Sequence, residues 1–158
     1  MPPEGQRDTR AIVEAMIAAL NSGRAERIVQ CMHPNGLFVG PLGDRIEGRA
    51  ALADHWRAYF RVVRDYRIEI ETLMIDDQDA LLCGTARGTV HRGGIAVDGG
   101  DWRVPAAWRA TSDGSRLSRW QAFADNEPLR RLLRGTGELP WLTGDAGQPD
   151  RSGPAQPA

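Results

Sequence analysis

Two periods divide the chain. From Arg10 to Asn21 apolar side chains recur at helical spacing, as Ile12, Val13, Met16, Ile17 and Leu20, with Asp8 or Thr9 placed to cap the start and Asn21-Ser22-Gly23 to close it. Ala25 to Met32 predicts a second, short helix that ends on His33-Pro34-Asn35-Gly36, where the proline and the Asn-Gly pair impose a turn. His33 is read there as a turn residue. Leu37-Phe38-Val39 predicts a short strand, followed by a Gly-Pro-Leu-Gly turn and a small arm at Arg45-Ile46-Glu47. Gly48 to Val63 predicts a third, amphipathic helix with Leu52, Trp56, Tyr59, Phe60 and Val63 on one face.

From Tyr66 the period changes to two. Tyr66, Ile68 and Ile70 alternate with Arg67, Glu69 and Glu71, as a half-buried strand running to Met74 does. Ala80 to His91 and Gly100 to Thr111 predict two more strands, joined through Arg92-Gly93-Gly94 and Asp98-Gly99-Gly100, and Ser112-Asp113-Gly114-Ser115 makes a hairpin turn. Arg116 to Ala124 is the last strand and Pro128 to Arg134 a final short helix, with Asp125-Asn126 at its start. Three helices followed by long antiparallel strands imply an α+β fold, a conical barrel in which a curved sheet wraps the N-terminal helices. Residues 1–8 read as a flexible N-terminus, 9–134 as the domain, and 135–158, rich in Gly, Pro and polar residues, as a largely disordered tail with Trp141 and Leu142 packing back just before it.

With 158 residues, 41% hydrophobic content and a net charge of -1, the chain fits one globular domain, and its charge does not suit nucleic acid. No apolar run approaches the roughly 18 residues of a membrane span, and MPPEGQRDTR lacks the pattern of a signal peptide, so a cytoplasmic address is expected. Cys31 and Cys83 form neither a disulfide framework nor a metal motif and are read as small buried hydrophobes. All the basic residues other than histidine are arginine, which excludes Schiff-base and P-loop lysine chemistry. His33, His55 and His91 are too dispersed for a local metal motif, and HExxH and GxSxG are missing, so no cofactor or metal is expected.

The stretch AMIAALNSGRAERIVQCMHPNGLFVGPLGDRIEGRAALADHW resembles the opening of the nuclear transport factor 2-like superfamily, and WRATSDGSRLSRWQAFADN resembles its closing hairpin. That superfamily includes ketosteroid isomerases, limonene epoxide hydrolases and SnoaL-type polyketide cyclases, and the resemblance covers about residues 9 to 134. It implies a conical pocket between the sheet and the long helix, and a homodimer. Matched to ketosteroid isomerase, which needs a base carboxylate with a tyrosine and a protonated aspartate as donors, the chain has Met16 at the tyrosine position, Gly40 at the base and Ala107 at the aspartate. The resemblance therefore disfavours steroid isomerisation. Matched to limonene epoxide hydrolase, Arg87-Gly88-Thr89 and Ala122 stand where two aspartates are required. SnoaL-type cyclases keep an acidic residue near the end of the last strand, and Asp125 corresponds to it.

Asp125 thus has two readings, catalytic acid with Arg87 to orient it, or helix cap, and the cap is the commoner role for an aspartate at such a turn. Arg87 has two as well: the superfamily register turns Cys83, Thr85, Arg87 and Thr89 inward, whereas simple patterning buries Leu82, Ala86 and Val90 instead. The expected pocket is lined by Met16, Leu20, Phe38, Gly40, Trp56, Tyr59, Phe60, Thr89, Trp120 and Ala122, apolar and roomy, with His55 on the surface. Trp102, Val104, Ala106 and Trp108 are expected on the outer sheet face, where they would join a homodimer. Two functions follow. One is a cofactor-independent acid–base cyclase, isomerase or hydrolase acting on a hydrophobic polyketide-like, polycyclic or terpenoid substrate; the other is a binding or dimerisation module that has lost its carboxylates.

Overall fold

The fold is that of a computed structural model and is described for Met1 and residues 3–143. Helix α1 (Glu4–Asn21) and the short α2 (Ala25–Cys31) precede strand β1 (Met32–Val39) and a three-residue β2 (Arg45–Glu47). Helix α3 (Arg49–Val62) runs without a loop into β3 (Val63–Asp76), and β4 (Asp79–Arg92), β5 (Ile95–Ser112) and β6 (Leu117–Ala124) complete the strands before α4 (Glu127–Leu133) and one turn of α5 (Pro140–Thr143). The six strands form one sheet in the order β2-β1-β6-β5-β4-β3. The α+β class and the curved sheet over N-terminal helices match the expectation from patterning. Closure into a barrel does not: β2 and β3 remain as the two edges of the sheet.

The first helix starts at Glu4, ahead of the expected cap at Asp8 or Thr9. Thr9 is instead buried in the helix interior, where its hydroxyl donates to the carbonyls of Gly5 and Asp77 at 2.9 and 2.8 Å and ties the helix to the β3–β4 turn. At the other end Asn21 spans the helix and the sheet, donating to the Ile68 carbonyl at 3.1 Å and accepting the Ile68 N–H at 2.8 Å. The His33-Pro34-Asn35-Gly36 turn is present as a wide bulge inside β1: Met32 pairs with Leu117 and Leu37 with Arg119, so four residues of one strand face one of the other. Pro34 has no N–H to give to that ladder. Asp98-Gly99-Gly100 is likewise a bulge within β5, opposite Val90, with the Gly93-Gly94 turn alone joining the strands.

Alternation decides which face is covered. Leu82, Ala86 and Val90 on β4, Trp102, Val104, Trp108 and Ala110 on β5, and Phe38 and Trp120 are all buried against Leu52, Trp56, Tyr59 and Phe60 of α3 and Val13, Met16 and Leu20 of α1. The expected outer face of Trp102, Val104, Ala106 and Trp108 is therefore the inner one. A strand turns residues two apart to one side, and here the indoles have α3 to pack on. Cys83 is exposed for the same reason, since it alternates with Leu82, and Cys31 is only half-buried, so neither thiol is the core residue the sequence suggested.

The tail expectation divides. Trp141 and Leu142 do pack back, Leu142 with 2% exposure. Gly135 and Gly137 in left-handed conformations and the Thr136 hydroxyl, bonded to the Leu133 carbonyl at 2.7 Å, turn the chain after α4 so that this pair lies over the inner face. The disorder expected of the remaining tail, 144–158, concerns residues outside the described ones.

Candidate functional site

Between α3 and the inner sheet face lies a cavity of about 50 Å³, walled by aromatic rings. Helix α3 contributes His55, Trp56 and Tyr59, which share its buried side because i, i+1 and i+4 fall within one broad helical face. Tyr66 comes from the start of β3. Its position depends on a bulge, Arg64 and Arg67 pairing with Thr89 and Arg87, so that two residues oppose Gly88, with Asp65 at a φ of 53°. The sheet adds Phe38, Trp102, Ala106, Trp108, Trp120 and Ala122, and the partly exposed Pro41, Asn126 and Trp141 form the rim.

The rings form a continuous network. Tyr59 meets Tyr66 at 5.3 Å and 90°, and Trp56 meets Tyr59 at 5.5 Å and 80°, both edge-to-face arrangements that favour the ring quadrupoles. The His55 imidazole lies 4.9 Å from Phe38 and 4.2 Å from the Trp141 indole, which also stands 6.0 Å from Tyr59. Trp141 thus stands at the rim of the cavity, against His55 and Tyr59.

Three ring nitrogens of its lining residues lack partners. His55 Nε2, Trp56 Nε1 and Trp102 Nε1 are buried without a hydrogen bond, in residues of 7%, 5% and 6% exposure. Each such group costs of the order of 1–3 kcal/mol when left unpaired, and the two indole N–H groups are donors that an acceptor oxygen would satisfy. Burial pushes the His55 pKa down to about 4, so the imidazole is neutral near pH 7. Burial raises both phenols, Tyr59 helped by its neighbour Tyr66, so they too are uncharged.

Of the expected pocket residues, Phe38, Trp56, Tyr59, Trp120 and Ala122 line this cavity. Met16, Leu20 and Phe60 belong to the packed core behind it. Thr89 lies on the other face of β4, where its hydroxyl donates to Asp101 at 2.7 Å. Arg87 also points outward, 3.3 Å from Glu69, so patterning prevails over the superfamily register in this strand. Asp125 is exposed and accepts the Glu127 N–H at 3.0 Å, a capping turn one residue ahead of the Asn126 cap position. The structure does not bring Asp125 and Arg87 together at the cavity. His55, expected at the surface, is among the most buried polar residues; the signal for it was its position beside Trp56 on the apolar side of the helix.

Among solved structures, the chain is similar to a protein provisionally assigned as a polyketide cyclase from Xanthomonas campestris pv. campestris, with 16% identity, a TM-score of 0.71, and 80% of this chain and 96% of that one covered. It is also similar to a provisionally assigned SnoaL-like polyketide cyclase from Jannaschia sp. CCS1, at 12% identity and a TM-score of 0.70 over 84% and 94% of the two chains. AclR from Streptomyces galilaeus, provisionally assigned as a hydroxylase, superposes at 15% identity and a TM-score of 0.66 over 81% and 96%. At such identities the likeness is one of fold. No curated protein matches the chain significantly. The SnoaL-like domain model matches residues 13–120. With more than half of the chain inside that match, this protein belongs to the SnoaL-like domain family.

Proposed function

We propose that the protein is a cofactor-independent acid–base enzyme, of the cyclase or isomerase kind, for a flat and largely apolar ring compound bearing at least one carbonyl or hydroxyl oxygen. The observation that carries this is the set of three unpartnered ring nitrogens, on His55, Trp56 and Trp102, around an aromatic cavity. An indole N–H donates to a carbonyl oxygen, and it does so most strongly where water is excluded. A carbonyl held in that way acidifies the neighbouring C–H bonds, the first requirement for aldol cyclisation or double-bond migration. The names of the solved cyclases agree with this substrate class.

The cavity is small for two fused rings while Trp141 closes it, so binding displaces that indole. Its contacts with His55 and Tyr59 are worth roughly 1 kcal/mol. Trp141→Ala removes that competition, and 2-tetralone, followed by quenching of tryptophan emission, is expected to bind about fivefold to tenfold more tightly than to the wild type. In both proteins 2-tetralone should exceed naphthalene by about tenfold, the value of one hydrogen bond, and Trp102→Phe should narrow that gap. Equal affinity for the ketone and the hydrocarbon, or no binding by either protein, defeats the reading.

The reading includes a homodimer formed through the outer sheet face. Met74 pairs with Leu81, Cys83 with Ala107, and Ala107 with Phe123, so these side chains make one apolar band; Met74, Leu81 and Phe123 are 65%, 56% and 48% exposed. Sedimentation at tens of micromolar, well above a dissociation constant of roughly 1 µM, is expected to give twice the chain mass, and Phe123→Glu the single mass. A monomeric wild type disproves the dimer.

A further inference from the structure

We infer that Asp44, in the turn between β1 and β2, is the carboxylate that exchanges protons with a substrate carbon in this cavity. The inference rests on the ligand class proposed above. Asp44 continues the β1–β2 ladder opposite Gly40: Phe38 pairs with Ile46 and Val39 with Arg45, and the Gly40 N–H donates to the Asp44 carbonyl at 2.9 Å. Residues facing one another in an antiparallel pair point to the same side, and those two apart in a strand share a face. Phe38 lines the cavity, so Gly40 and Asp44 lie on the same face of the ladder as that ring, next to the rim residue Pro41.

Gly40 has no side chain, and the space that one would fill is taken by the Asp44 carboxylate, which a methyl group there would strike. The acid group therefore lies over the end of β1, in the place of a Gly40 side chain. The β6 position beside Gly40 is Ala122, since Phe38 pairs with Trp120 and Val39 with Gln121, and Ala122 lines the cavity, as does Pro41 in the same turn. The carboxylate itself lies behind this lining, beside Pro41 of the same turn. Both carboxylate oxygens are buried, and neither is hydrogen-bonded to another residue.

A structural aspartate in a turn normally accepts backbone N–H groups, as Asp113 does from Ser115 and Arg116. Asp44 accepts no N–H from another residue, and burying a carboxylate in that way costs stability. Burial raises its pKa, the pull of its own backbone N–H offsetting only part of the effect, which makes the ionised form a stronger base than a free aspartate. In the step assigned to it, the ionised carboxylate takes a proton from the carbon beside the substrate carbonyl. That C–H bond breaks, its electron pair forms the enolate, and the enolate oxygen accepts a hydrogen bond from an indole N–H. The carboxyl group then returns its proton to the same or another carbon, so nothing is consumed.

Deuterium exchange tests this. With 2-tetralone in D₂O, proton NMR follows loss of the hydrogens beside the carbonyl, and tryptophan quenching measures binding in the same samples. Wild type is expected to accelerate exchange. Asp44→Asn should lose a hundredfold or more of that acceleration while its affinity changes less than about threefold and its melting temperature holds or rises. Gly40→Ala, which keeps the acid but pushes it off β1, should lose exchange as well. Exchange that survives in Asp44→Asn, or a wild type that binds the ketone without exchanging it, overturns the role of Asp44 and leaves the ligand class standing. Absence of binding in both the wild type and Trp141→Ala overturns the ligand class and Asp44 with it.

Discussion

Acidification from pH 7 to pH 4 is expected to cost the folded protein about 3 kcal/mol through one side chain, His55. The imidazole is 7% exposed and its pKa falls from 6.5 to about 4 on folding. Between those values the unfolded chain binds a proton that the folded one refuses, so stability is full above pH 6.5 and is lost progressively as the pH drops toward 4. Asp44 opposes this weakly. Its folded pKa is raised, so its contribution is present at low pH and is lost as the pH rises through that value. Urea unfolding at several pH values should show the steep limb in wild type, and His55→Phe, which keeps a ring against Phe38 and Trp141, should flatten it. An unchanged limb in that variant would mean that His55 is solvated in solution.

Gly84→Ala is expected to cost about 3 kcal/mol, near the upper end for overpacking. Gly84 lies in β4 between Ile70 of β3 and Ala106 of β5, beside a shift in the β3 register. A β-carbon there would collide with the Glu69 carbonyl oxygen and lie 3.1 Å from the Ile70 α-carbon. Both are backbone atoms in the middle of a ladder and cannot turn away as a side chain would. The melting temperature should fall by about 10 °C. A loss below 2 °C would show that β3 can lift off β4 at that point without consequence.

What the sequence revealed follows from how local each signal is. The helices, the switch to alternation at β3 and the turns all rest on neighbours a few residues apart, and they were legible. The buried face of β5 was not, because Trp102, Val104, Ala106 and Trp108 alternate equally well for a core or an interface, and only α3 packed against them separates the two. For β4 the local pattern of Leu82, Ala86 and Val90 was a better guide to Arg87 than a distant resemblance. Asp44 shows the opposite limit. Matching position by position finds a glycine at Gly40 and reads a missing acid, whereas the acid over that glycine arrives from across a turn. Such a substitution is visible only when two strands are laid side by side. His55 was missed through a general habit of placing histidine outside.

The parallel pairing of β1 with β6 has a consequence for how the chain is made. Phe38 finds its partner in Trp120, in the last strand, so the first strand leaves the ribosome long before the strand that will flank it exists. Until then the strand partner of β1 is the three-residue β2, a pairing too short to be stable by itself. Meanwhile β3, β4 and β5 pair with their neighbours in order of synthesis. Arrival of β6 then joins the early and late parts of the sequence in one event, a long-range closure of the kind that slows folding and favours a post-translational last step. Any nascent chain stalled before Trp120 would carry an open β1 and an open β5, two unsatisfied edges ready to pair with other chains.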